Sequence, residues 1–169
     1  MKHLLTSILI ISILSSVIYS QDSSQVVLKK NSFGFGFGIP YGILGGNIDI
    51  NVVPNLNLSA GIGSTILAGI GYSFGIKYFF MPIEQTFRLR VSAYYGTNAA
   101  IEYSGDSKDN ESFAGLNLGV GFQMMWGETK SNGLDFDIIY IATTGLDAKE
   151  EGVEEPVKVK ISLGYRHGF

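Results

Sequence analysis

The chain has 169 residues, 46% of them hydrophobic, with no cysteine and a formal net charge of −3. Fifteen acidic against twelve basic residues exclude the basic surface of a nucleic-acid binder. The missing cysteines exclude a disulfide scaffold and a lipid-modified amino-terminal cysteine, so packing and strand pairing must hold a single domain.

The amino terminus opens with the short basic segment Met1-Lys2-His3, followed by an apolar run from Leu4 to Ile18 and a small residue, Ser20, before Gln21. This is the pattern of a secretory signal peptide, and the run is shorter than the ~20 residues of a spanning helix. We expect residues 1–20 to be a cleaved leader, 21–31 a polar lead and 32–169 the folded domain. Losing Lys2 leaves eleven basic residues against fifteen acidic, a net charge of −4. No internal run reaches the length of a membrane helix, so any membrane crossing must use a closed barrel.

Eight segments of alternating polarity follow in order. Phe33 to Ile39 sets Phe33, Phe35, Phe37 and Ile39 against glycines. Gly46 to Val52 sets Ile48, Ile50 and Val52 against Asn47, Asp49 and Asn51. Pro54-Asn55 turns the chain into Leu56 to Gly63. Ile70 to Phe80 alternates apart from Phe79, which breaks the polarity. A turn at Met81 to Thr86 leads to Phe87–Thr97, where Arg88, Arg90, Ser92 and Tyr94 form the polar face. A charged stretch from Ser104 to Ser112 precedes Phe113 to Trp126. Asn132-Gly133 is a strong hairpin dipeptide opening Leu134 to Thr143, with Asp135 and Asp137 on one face. An acidic loop from Thr144 to Pro156 leads to the last segment, Val157 to Phe169.

Side chains in a strand point to opposite faces with period two. Eight such strands joined by turns predict an all-β, eight-stranded antiparallel up-and-down barrel. One face is strongly apolar and aromatic; the other is glycine, serine, asparagine and charge. An eight-stranded interior is just wide enough for ordinary side chains, so the aromatic face is expected outward and the barrel transmembrane. Parity places Asp49, Lys77, Arg88, Arg90, Asp135, Asp137, Lys158, Lys160 and Arg166 inside, while His167 falls on the apolar face. Unpaired buried charges are expensive, so opposite signs should meet, with Asp135 or Asp137 facing Lys160 or Arg166. Alternating strand directions place Phe33, Phe80, Phe87, Trp126, Phe136 and Phe169 near one rim, as an interfacial aromatic girdle.

From Phe33 to Phe169 the chain resembles the small eight-stranded outer-membrane proteins of Gram-negative bacteria, the family of the OmpA transmembrane domain and OmpX. In that family the last strand carries a signal read by the barrel-assembly machinery, and here Ser162, Gly164 and Phe169 match it. His167 stands where an apolar residue is usual. The resemblance implies export through the periplasm to the bacterial outer membrane, contact with its lipids and a monomeric barrel. Loops 98–112 and 144–156 are then candidates for meeting an extracellular partner.

Some such barrels modify lipid A with a histidine-based site. His167 has no acidic neighbour in sequence, and nucleophilic catalysis needs a base within reach of its nucleophile, so no catalytic residue is assigned. The acidic loop lacks the ordered spacing of a calcium site, and Phe33–Gly38 is no phosphate loop because no helix follows it. No cofactor or metal is expected. The reading is a structural or surface-interaction barrel with a closed, charge-filled lumen. The alternatives are a soluble periplasmic lipocalin-like barrel with an apolar ligand, and a lipid A-modifying enzyme.

Overall fold

A computed structural model describes residues 28, 30–66, 68–101, 111–145 and 157–169. The expected leader and most of the polar lead lie outside the described residues. So do residues 102–110 and 146–156, the centres of the two charged loops.

Eight strands form one closed barrel in chain order: β1 Ser32–Gly38, β2 Ile43–Val53, β3 Leu56–Ser64, β4 Ile70–Phe79, β5 Phe87–Ile101, β6 Glu111–Trp126, β7 Asn132–Ile141 and β8 Val159–Gly168. Every neighbour is antiparallel, and β8 closes on β1 through Phe35 opposite Tyr165. Closure leaves no sheet edge to satisfy. Pro54-Asn55, 80–86 and 127–131 are short turns at one rim, called here the turn rim. Both ends of the described chain lie there, because Phe169 N–H donates to Asn31 O.

Alternation sets the two faces as expected. Phe35, Ile62, Phe74 and Val120 are at least 60% exposed in mid-strand, while Asp49, Lys77, Arg90 and Arg166 are fully buried. Several details depart from the sequence reading. Strands β5 and β6 run on to Ile101 and from Glu111, so residues 98–101 and 111–112 belong to the ladder rather than to a loop. A bulge between Thr97 and Ala99 adds Asn98, and both Thr97 and Asn98 are buried. Lys158 precedes β8 and is exposed.

The largest departure follows β1. Ile39 does not continue the strand. It opens a 3-10 turn, Ile39–Tyr41, whose three side chains are all buried. The turn folds into the barrel. Gly38 and Gly42 enter and leave it at φ 109° and 62°, and Ile43 follows at 82°, a backbone region costly for a β-branched residue. Burial of the turn holds Ile43 there.

This turn explains much of the glycine on the inner face. A Cβ on Gly36 or Gly164 would crowd the Tyr41 side chain, and one on Gly61 would strike the Pro40 carbonyl. The glycines make room for a piece of backbone as well as for the narrow lumen.

Two substitutions separate these effects. Gly164→Ala meets mainly the Tyr41 side chain, whereas Gly36→Ala also meets the Leu163 carbonyl and Gly164 Cα. Each should destabilise the folded barrel by about 1–3 kcal/mol in urea titrations in detergent micelles. The cost of Gly164→Ala should shrink in a Tyr41→Ala background, while that of Gly36→Ala should persist. Equal behaviour of the two would contradict the packing described.

Candidate functional site in the barrel interior

The half of the interior nearer the turn rim holds three carboxylates and three cations. β2 supplies Asp49, β4 Lys77, β5 Arg90, β7 Asp135 and Asp137, and β8 Arg166, each at an inward position. Asp135 is the hub. It accepts from Arg90 Nη1 at 2.7 Å, Arg166 Nη1 at 2.7 Å and Lys77 Nζ at 3.3 Å. Asp137 is held by Arg90 at both oxygens, at 3.2 and 2.7 Å. Asp49 lies 2.8 Å from Lys77 and 3.0 Å from Arg166, and Arg166 Nε donates to Ser32 Oγ. The cluster is formally neutral. That balance lets three acidic and three basic side chains share a buried interior, where a lone charge would cost several kcal/mol.

The remaining inward charges stand apart. Lys160 donates to the Asn98 carbonyl, so it meets neither Asp135 nor Asp137. Arg88 lies 3.8 Å over the Phe79 ring and donates from Nε to Met81 O. Phe79, whose polarity breaks the β4 pattern, is fully buried and serves as that guanidinium's platform.

Between the ion cluster and the opposite rim lies an apolar layer. Ile39, Tyr94, Ile139 and Ile141 form a buried cluster, and Tyr41 is 1% exposed. The sequence reading missed this layer, treating the inner face as glycine, polar groups and charge. Ile139 and Ile141 share the parity of Asp135 and Asp137, which was a usable signal. Tyr41 had only its flanking Pro40 and Gly42. Above this layer, Asn98 donates to Asn117 and to the Thr143 carbonyl.

The aromatic set is outward but uneven. Phe33 packs on Phe169 with ring centroids 6.2 Å apart and on His167 at 5.3 Å. Phe80 packs on Tyr78, and Trp126 ends β6 at the turn rim. Phe87 and Phe136 both meet Phe122, at 5.0 and 5.4 Å. Phe136 stands opposite Phe122 and Leu163 within the sheet, further from the rim than its companions. Of the last-strand triad, Ser162 bonds the Phe37 carbonyl, Gly164 lies beneath Tyr41, and Phe169 closes onto Asn31. His167 is half-buried, with Nδ1 3.1 Å from Asn132 Oδ1.

No protein-family model matches the chain, and no curated protein matches it. Among solved structures, it is similar to the N-terminal β-barrel domain of OprF from Pseudomonas aeruginosa. Identity is 18% and the TM-score 0.57, over 83% of this chain and 98% of that one. The chain therefore shares the eight-stranded, OmpA-like barrel fold of that domain.

The hub predicts a graded response. Asp135→Asn leaves three cations short of one charge and should cost about 3–5 kcal/mol of unfolding free energy. Lys160→Gln, outside the cluster, should cost less than half as much. Urea midpoints of detergent-folded variants check both, and equal losses would show that the cluster carries no special weight.

Proposed function

We propose that the protein is an integral barrel of the bacterial outer membrane, exported through the periplasm, with a structural or surface-interaction role and a sealed interior. The observation that carries this reading is the polarity of the closed barrel. An apolar, aromatic surface faces outward on every strand, and the ionised residues are turned in. A water-soluble protein rarely exposes a continuous apolar surface beyond a few hundred Å², whereas a membrane barrel needs one. The fold shared with the OprF domain supports the same placement.

Two seals in series close the interior: the ion cluster near the turn rim and the inward turn with its apolar layer. A lipocalin-like carrier would need an apolar cavity where these groups stand. Short turns mark the periplasmic rim, with Phe33, Phe80, Phe87, Trp126 and Phe169 as its aromatic belt and Phe136 deeper. Ser162, Gly164 and Phe169 act as the insertion signal for the barrel-assembly machinery. The opposite rim, where β5 leads on to β6 and β7 to β8, meets the environment or a partner protein, and the barrel works as a monomer without a catalytic site.

The protein should fractionate with outer membranes and shift in gel mobility between unboiled and boiled samples. A soluble periplasmic band with no shift would overturn the membrane placement. In planar bilayers the folded protein should pass no steady current. Asp135→Asn alone should leave it closed, because the inward turn remains, while Asp135→Asn with Tyr41→Ala should conduct. Conduction by the single Asp135 variant would refute the second seal.

A further inference from the structure

We infer that the turn-rim mouth of the barrel holds a binding site for a small oxyanion, centred on Arg88 and separate from the ion cluster. Lys77, Arg90 and Arg166 each meet a carboxylate within 3.3 Å. Arg88 does not, among the described residues. It is 3% exposed, and its Nη2 is buried without a hydrogen-bond partner. Glu84, exposed on the preceding turn, and Asp135 attract it only from beyond ion-pair distance. A buried cation left with one carbonyl and an aromatic face is poorly compensated.

Arg88 borders a partly enclosed cavity at the mouth, with room for about one water-sized atom. Lys30, Ser32, Asn57, Gln123 and Lys130 line it with Arg88, and no Asp or Glu does. The lining is rich in donors. The Asn57 side-chain oxygen already accepts from Asn51, which leaves its amide N–H groups to give. Gln123 is the cross-strand partner of Arg88. Lys130 Nζ, anchored on Thr86 Oγ1 at 2.8 Å, sits beside the entrance. One oxygen of a carboxylate or phosphate group fits the cavity beside Arg88, with the rest of the anion outside between Lys30 and Lys130. Arg88 points inward, so the ligand enters through the mouth as a soluble species rather than as a lipid headgroup on the outer face. Charge-assisted hydrogen bonds of this kind are the strong ones.

Arg88 Nε–H, held by the Met81 carbonyl, is a built-in spectroscopic probe. The full mature chain, labelled with ¹⁵N and folded in zwitterionic detergent, is titrated with inorganic phosphate and separately with acetate at constant ionic strength. Saturable movement of the Arg88 Nε–H resonance is expected, with the signals of Arg90 and Arg166 unmoved. Backbone signals of Gln123 and Lys130 should report the same curve. In Arg88→Gln those backbone shifts should need at least about tenfold more anion. Lys130→Gln should weaken binding by a smaller factor and keeps the test independent of any folding defect in the Arg88 variant. A wild-type protein whose Arg88 signal does not move, or moves without saturating, would overturn the site in favour of a single bound water. Undiminished binding by Arg88→Gln would assign the anion to the lysines alone and also overturn it. Neither result bears on the membrane placement, which fractionation and gel mobility test separately.

Discussion

The interior of this barrel depends on one carboxylate. Asp135 is shared by Arg90, Arg166 and Lys77, which come from three other strands. Through Lys77 and Arg166 the same network reaches Asp49 on β2. One buried anion thus ties β4, β5, β7 and β8 together and, at one remove, β2. In a closed sheet each strand is already paired on both sides. The inward side chains therefore decide how opposite walls stand relative to each other. A neutral, interlocked set of charged side chains does this with direction that apolar packing lacks, and it tolerates burial only because its charges balance.

The second constraint is the turn at Ile39–Tyr41. Eight strands enclose little space, yet a stretch of backbone and the Tyr41 ring occupy part of it. The glycines of β1, β3 and β8 are where the wall must thin to admit them. Ile43 accepts a left-handed backbone to bring the chain back out to β2. The charge cluster and this turn stack along the barrel axis, one nearer each rim.

Arg88 is the exception that marks the mouth. Its neighbour Arg90, two residues on and on the same face, is saturated by Asp135 and Asp137. Arg88 lies one step nearer the rim, beyond the last carboxylate, supported by Phe79 and Met81 O. A cation placed there is shielded enough to be strong and close enough to the opening to be reached.

Period-two alternation carried most of this architecture. It determined eight strands, their antiparallel order, the outward aromatic face and the inward parity of Asp49, Lys77, Arg88, Arg90, Asp135, Asp137, Lys160 and Arg166. Lys158 fell outside the strand it was read into, because element ends depend on pairing rather than on pattern. Parity says which face a charge occupies but not which partner it meets. Asp137 pairs with Arg90 across the lumen, while Lys160 turns to the Asn98 carbonyl. The inward turn was also invisible to pattern. Ile39 continues the alternation of β1 by sequence, and only the space left between opposing glycines lets the chain leave the wall and fold inside. What the sequence alone determined is therefore the wall of the barrel, since alternation is local. What fills it was decided by tertiary structure, because contacts across a closed lumen join residues that no local period relates.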